Sequence, residues 1–175
     1  MSDVVVIDSL VKGQIMSLSL AAGIIFIVMF FVLKSFKAGC LSIIPNLFPI
    51  ILNFGIMGLF NIPLNTATSL ISVVALGIAV DDTIHFLYEY KKQRDLGRNI
   101  NDSLDRVMIR KGRAIISSSC ILCIGFGVMI FSKFIPIVSF GVLSAVIMIT
   151  AVVGDLVVLP AVLYLVTGVG QSRRN

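Results

Sequence analysis

Five long apolar stretches divide this chain, and they constrain its fold more than any other feature of the sequence. They cover about residues 14–33, 40–60, 66–88, 114–132 and 137–166. A helix needs roughly 20 apolar residues to cross a bilayer, and each stretch is close to that length or longer. Only 13% of the residues are charged, whereas soluble domains carry about 25%. The sequence therefore predicts an all-α integral membrane protein built as a five-helix transmembrane bundle.

The stretches also define the expected domains. Residues 13–166 form the transmembrane domain, and residues 167–175 form a cytoplasmic tail. Residues 1–12 are predicted to be the end of an extracytoplasmic domain, in which residues 4–7 could form a short strand.

An amphipathic segment separates the third and fourth apolar stretches. Ile100, Leu104, Val107 and Met108 recur at the spacing of one helix face. We expect a helix at about residues 100–111 that lies on the cytoplasmic membrane surface with its basic side in water. A solvated connecting helix is the alternative.

Basic residues predict an orientation. One side of the membrane receives Lys34, Lys37, eight residues within 91–113, Arg173 and Arg174, and the other side receives Lys12 and Lys133. Segments rich in Lys and Arg stay in the cytoplasm, so we expect the N-terminus outside and the C-terminus inside a plasma or bacterial inner membrane. The net charge is +5, and the chain has no Trp. Because the basic residues lie next to the apolar stretches, we interpret this charge as a signal for membrane orientation and not for nucleic-acid binding.

The third stretch contains two adjacent carboxylates, Asp81 and Asp82, followed by His85. A carboxylate at the centre of a bilayer costs about 2.5–3.5 kcal/mol on the insertion scale, so such a group marks a functional site. Neighbouring helical residues point about 100° apart, and other helices or a wet cavity must therefore surround this helix if both acids are to avoid lipid. We expect the acids to titrate as a coupled proton relay. A purely structural buried pair is the alternative.

Other ionisable residues could support the relay. Asp81, His85 and Glu89 are spaced four residues apart, which predicts a ladder from mid-membrane to the inner surface. His85 could instead be an interface histidine. Asp155 lies at a similar depth in the fifth stretch, where it could pair with a hydroxyl group such as that of Ser118 or serve only the structure.

Polar and small residues predict contacts between the helices. Asn46 and Asn53 are expected to form hydrogen bonds across helices, with a direct role in transport as the alternative. Residues expected at close helix packing are Gly77, Ser119, Cys123 and Gly127. We predict no metal and no cofactor, and protons are the expected coupling ion.

Several motifs, taken together, resemble the resistance-nodulation-division (RND) superfamily, and most closely the MMPL-type exporters and the related sterol-sensing domain. They are Asn46-x-x-Pro49, Asn-Ile-Pro-Leu-Asn at 61–65, Gly77-x-x-x-Asp81-Asp82, Gly-Arg-Ala-Ile-Ile-x-Ser-Ser at 112–119, and Asp-Leu-Val-Val-Leu-Pro-Ala at 155–161. The resemblance covers about residues 10–165.

The resemblance implies more than the residues do. Such transporters have two similar halves, each with six helices and a large external domain, and this chain looks like the last five helices of the second half. Its implied partners are the missing N-terminal half and external domain, membrane lipid, and a hydrophobic or lipid substrate. The implied function is proton-driven export and not enzymatic catalysis. The alternatives are a lipid-sensing regulatory domain of the sterol-sensing type and a protein-export component similar to the SecD and SecF subunits.

Overall fold

The computed structural model describes residues 2–33, 36–63 and 65–172, and nearly all of them are helical. The helices are α1 (Ser2–Leu33), α2 (Phe36–Leu59), α3 (Thr66–Asp95), α4 (Ile100–Val107), α5 (Arg113–Gly127), α6 (Ile135–Val153) and α7 (Leu159–Ser172). A π-helical segment, Met108–Gly112, joins α4 to α5, and a second one, Gly154–Val158, joins α6 to α7. A 3₁₀ turn, Val128–Phe131, follows α5.

Five helical stretches of the described chain are long and apolar enough to cross a membrane. They are Val11–Phe31, Ser42–Leu59, Thr68–Asp95, Ile100–Phe131 and Ile135–Val166. The prediction of an all-helical chain with five potential spans is therefore confirmed.

The beginning of the chain differs from the expected strand. Residues 2–12 are helical and continue directly into the first span as part of α1. No second extended segment pairs with them in the described part of the chain, so a helix satisfies their backbone hydrogen bonds locally. Lys34, Arg173 and Arg174, which entered the orientation argument, lie outside the described residues.

The amphipathic segment forms the expected helix, and its apolar face packs against protein. Val107 is fully buried, and Leu104 and Met108 pack beside it against Phe86 and other residues of α3 and α7. The position of α4 at the cytoplasmic membrane surface stays a prediction. The π-helical segment also makes α4 continuous with α5, so the helix leads directly into the fourth span.

The turn between α2 and α3 has a defined geometry. Asn61 adopts a positive φ of 50°, and the Ile62 amide donates to the Met57 carbonyl over 2.8 Å. This is the Schellman arrangement that closes a helix C-terminus, and Asn tolerates the left-handed conformation better than most residues. Asn65 then caps α3, where its side chain accepts from the Thr68 amide. The predicted turn therefore fixes how α2 and α3 are connected.

α3 and α6 lie at the centre of the bundle, where they contact each other and several of the other helices. Near the start of α3, Ile71 packs with Leu143 and Ile147 of α6. Near the end of α3, Phe86 packs with Leu159 of α7. The polar residues described next lie between these two apolar clusters.

Candidate functional site

Asp81 and His85 form a close pair on one face of α3. The Asp81 Oδ1 atom lies 3.5 Å from His85 Nε2, and the side chains are 73% and 59% exposed. Asp82, the next residue, points in another direction and is partly buried. The two adjacent acids therefore have different surroundings, as the 100° rotation between neighbouring helical residues requires.

The expected enclosure of both acids is not provided by this chain. Asp81 faces an open side of α3, together with Gly77, His85 and Tyr88, all of which are exposed. The described helices pack on the opposite side of α3, where Thr83 and Phe86 are fully buried. Asp81 is therefore not shielded from lipid by the residues that the structure describes.

The expected ladder stops at His85. Glu89 is buried, and its Oε1 accepts from Gln93 Nε2 over 2.6 Å and from Arg110 Nη1 over 3.4 Å. Eight residues along a helix rotate a side chain by about 80° beyond two full turns. Glu89 has therefore turned away from the Asp81 face toward Arg110, where it joins α3 to the segment between α4 and α5.

A second polar group lies inside the bundle, around Asp155. This residue is only 2% exposed, and its Oδ1 accepts from the Thr83 hydroxyl group over 2.5 Å. Thr83 Oγ1 also lies 3.3 Å from Asn46 Oδ1 and 3.2 Å from the Ala79 carbonyl oxygen. The group brings together α2, α3 and the π-helical segment before α7. The hydroxyl partner of Asp155 is thus Thr83 rather than the suggested Ser118, which is exposed and donates to the Ile115 carbonyl.

The position of Asp155 follows from its neighbours. Proline has no amide hydrogen, so Pro49 cannot donate to the Pro45 carbonyl one turn earlier in α2. Gly154 lies against this carbonyl so closely that a Cβ atom on Gly154 would come within 2.8 Å of its oxygen. The π-helical segment ends at Val158, two residues before Pro160, and the Leu159 amide donates to the Gly154 carbonyl. The close contact between Gly154 and the Pro45 carbonyl therefore lies near a proline in each helix, Pro49 in α2 and Pro160 in α7. This contact brings Asp155 to α2 and α3.

The two asparagines of α2 differ in their hydrogen bonding. Asn46 forms the expected contact across helices, because its Oδ1 faces Thr83 while its Nδ2 donates to the Ser42 carbonyl over 2.6 Å. Asn53 is fully buried, but neither its Oδ1 nor its Nδ2 has a hydrogen-bond partner among the described residues. The expected cross-helix bond is therefore absent at Asn53, whose neighbours along this face, Ile50 and Met57, are apolar.

Of the four small residues expected at helix contacts, two lie at such contacts and two do not. Ser119 is buried, and Cys123 Sγ lies 3.5 Å from the Ala145 carbonyl oxygen of α6. A Cβ atom on Gly77 or Gly127 would meet no atom within 4 Å, so neither residue is at a close helix contact in the described chain. Among the glycines of the described chain, Gly141 of α6 makes the closest approach: a Cβ there would lie 2.6 Å from Met129 Cβ in the 3₁₀ turn and 2.7 Å from the Phe126 carbonyl oxygen of α5.

Thr83 is the central residue that the sequence reasoning did not identify. A single threonine beside two aspartates carries little signal, because a hydroxyl group in a membrane helix often bonds only to its own backbone. The available signal was position along the spans: Asn46 lies six residues after the start of the second predicted span, and Thr83 lies five residues before the end of the third, so both lie toward the end of the bundle that is predicted to face the cytoplasm. In the described part of the chain, no group of three or more His, Cys, Asp or Glu could hold a metal ion.

Comparison with known proteins agrees with this architecture. The model of the MMPL family matches residues 7–175. A membrane protein from Methanocaldococcus jannaschii is 26% identical over 141 residues, which cover 81% of this chain and 36% of that protein. The chain therefore spans about a third of the length of this relative.

Proposed function

The chain belongs to the MMPL family, within the RND superfamily of membrane proteins, and from this premise we propose that it carries the proton relay of a transporter driven by the proton gradient. The observation that carries the proposal is the Asp81–His85 pair, 3.5 Å apart, in a helix that is otherwise apolar enough to span a membrane. Both groups change charge when they bind a proton. Asp82, partly buried beside them, is the relay's connection to the bundle interior.

The open face of α3 fits this role when the rest of the transporter is considered. A carboxylate that faces acyl chains is costly, so Asp81 needs a protein neighbour or a water-filled seam in the assembled protein. Glycine and polar side chains, such as Gly77, Asp81 and His85, are typical of contacts between membrane helices. We propose that the N-terminal half implied by the family covers this face and leaves a wet path to the acids.

Protonation would act by changing which helix arrangement is preferred. A proton that neutralises Asp82 removes charge from the bundle interior, and a gradient can then drive the bundle between two packings. The substrate in this proposal is a lipid or another hydrophobic compound, handled mainly by parts of the protein outside this chain. No bond in the substrate is broken, so we expect no enzymatic reaction. The proposed topology has its C-terminus in the cytoplasm, because the basic residues around α4 are expected to stay on that side of the membrane.

The proposal is tested by Asp81→Asn and Asp82→Asn in the full-length transporter. Asn has the size and hydrogen-bonding capacity of Asp but cannot bind a titrating proton. In inverted membrane vesicles, we expect gradient-dependent movement of a fluorescent phospholipid analogue to fall to the level of vesicles without the protein. Asp102→Asn is the matched control, because Asp102 is exposed on α4 and pairs with Arg106. Full, gradient-dependent movement in both α3 variants would refute the relay.

A second candidate function, lipid sensing, is favoured by a feature at the other end of the bundle. Gln14 of α1 is 7% exposed, and its Nε2 has no partner among the described residues. It lines a cavity of about 210 Å³ against Ser69 of α3 and another of about 350 Å³ against Phe54 of α2. Four polar side chains contribute to the lining of the first cavity, whereas every lining residue of the second except Gln14 is apolar, an arrangement that suits an amphiphile.

Photo-crosslinking with a photoactivatable phosphatidylcholine separates the two candidates. Lipid sensing predicts crosslinks in the peptide that contains Gln14 and their loss in Gln14→Leu. Equal labelling of wild type and Gln14→Leu would contradict a specific lipid site there.

A further inference from the structure

Asp155 has an incomplete set of hydrogen bonds for a carboxylate buried this deeply. Thr83 is the one donor to its Oδ1 among the described residues, and its Oδ2 has no partner there. Buried polar atoms in proteins are almost always paired, and an unpaired one calls for a functional explanation. An ionisable group inside a membrane bundle calls for one as well.

Thr83 has more acceptors than it can serve. Its hydroxyl group carries a single hydrogen, yet Asp155 Oδ1, the Ala79 carbonyl oxygen and Asn46 Oδ1 all lie within 3.3 Å of its oxygen. Asn46 donates through Nδ2 to its own helix at Ser42, which leaves its Oδ1 directed at Thr83. The Thr83 hydroxyl group can therefore donate to only one of these three oxygens at a time.

We propose that Asp155 is a further proton-binding acid, and that its protonation transfers the Thr83 hydroxyl bond from Asp155 to Asn46. With Asp155 ionised, Thr83 donates to it. When Oδ1 takes up a proton, the new O–H group of Asp155 donates to Thr83 Oγ1, and the Thr83 hydrogen rotates to Asn46 Oδ1. One O–H bond forms on uptake and the same bond breaks on release, so only the proton is exchanged.

The consequence is a link between helices that depends on one proton. In the ionised state, Thr83 ties α3 to the π-helical segment Gly154–Val158. In the protonated state, the same hydroxyl group also ties α3 to α2 through Asn46. This inference deepens the proposed function and rests on it for the supply of the proton.

Few other charged groups can act on this switch. α3 contributes Asp82, which directly precedes Thr83 in the sequence, and, on its open face, the Asp81–His85 pair. The other elements that pack on the π-helical segment are α2, α6 and α7. Residues 135–172 contain no second charged residue, and the only one in α2 is Lys37, more than two turns before Asn46. Asp82 is thus the nearest route for a proton.

The test is infrared difference spectroscopy of the full-length transporter in lipid nanodiscs, recorded between mildly acidic and alkaline pH. The switch predicts two components on acidification: a protonated carboxyl band, and a downshift of an amide carbonyl band as Asn46 gains a hydrogen bond. Asp155→Asn should remove the carboxyl component assigned to Asp155, and Asn46→Leu should remove the amide component. Thr83→Val, which is nearly isosteric, should keep the Asp155 carboxyl component and remove the amide component. Thr83→Ser should keep both.

Thr150→Val is the matched control. Thr150 is a partly buried threonine whose hydroxyl group donates only to carbonyls of its own helix, at Val146 and Ile147. Both components should survive in this variant. A carboxyl signal unchanged by Asp155→Asn would overturn the proton-binding role, and an amide component that survives Thr83→Val would overturn the switch. The measurement needs no substrate, so its failure is distinguishable from a failure of the transport assay.

Discussion

At the scale of single residues, adjacent or similar side chains have different environments because helix rotation separates them. Asp81 is exposed and pairs with His85, whereas its neighbour Asp82 is partly buried. On α2, Asn46 is bonded across the bundle and Asn53 is buried without a partner. Residue type and depth predicted a functional or structural role for each of these four positions. The partner at each position depends on the direction of the side chain relative to other helices.

The two asparagines give a prediction about stability. Replacing Asn53 with Leu removes a buried amide without a partner, so we expect the free energy of unfolding to rise, by about 1–3 kcal/mol if the pocket accepts the side chain. Asn46→Leu removes an amide that is bonded to Thr83 and Ser42, and it should lower the free energy of unfolding. Chemical denaturation in detergent micelles measures both. A loss of stability in Asn53→Leu would show that Asn53 has a polar partner in the assembled protein.

At the scale of helices, small residues matter where backbones come close, and sequence spacing alone did not locate those points. Ser119, Cys123 and Gly127 recur every four residues, yet the closest approach of a described glycine lies on the opposite helix at Gly141. The number of spans was predictable, because each span needs a long apolar run. The packing of α4 against α3 and α7 was not predictable, because an amphipathic pattern is the same whether lipid or protein covers its apolar side.

The contact between α5 and α6 gives a prediction with a built-in control. In Gly141→Ala, the added methyl group would meet Met129 Cβ at 2.6 Å and the Phe126 carbonyl oxygen at 2.7 Å. We expect a loss of about 1–3 kcal/mol, the usual cost of overpacking. Gly127→Ala lies on the facing helix with nothing within 4 Å, and it should be neutral or slightly stabilising because Ala favours helix over Gly. Similar melting temperatures for the two variants would contradict this packing.

At the scale of the whole molecule, one apolar cluster lies on each side of a polar layer that crosses the bundle. The polar layer joins α2, α3 and the segment before α7 through Asn46, Thr83 and Asp155. The Asp81 face of α3 remains open. The sequence predicted charge in mid-membrane, but a single set of helices could not show that one acid faces inward to the bundle and another faces away from it.

The proposed topology is testable with single cysteines in a background in which Cys40, Cys120 and Cys123 are replaced by Ala. Asn99→Cys and Phe134→Cys introduce exposed thiols at opposite ends of the bundle and leave every Lys and Arg in place. A membrane-impermeant maleimide added to intact cells should label Phe134→Cys only, because the basic end should stay in the cytoplasm. Labelling of Asn99→Cys alone would mean the inverse orientation.

The central claim is that protons pass through the acids of α3 and drive transport, and proton uptake itself is the most direct measurement. The full-length transporter is reconstituted into vesicles that enclose a pH-sensitive dye, and proton movement is recorded while a fluorescent phospholipid analogue is transported. We predict proton movement coupled to transport in the wild type and none in Asp82→Asn. Transport that continues at the wild-type rate in Asp82→Asn, with the same proton movement or with none, would contradict the claim.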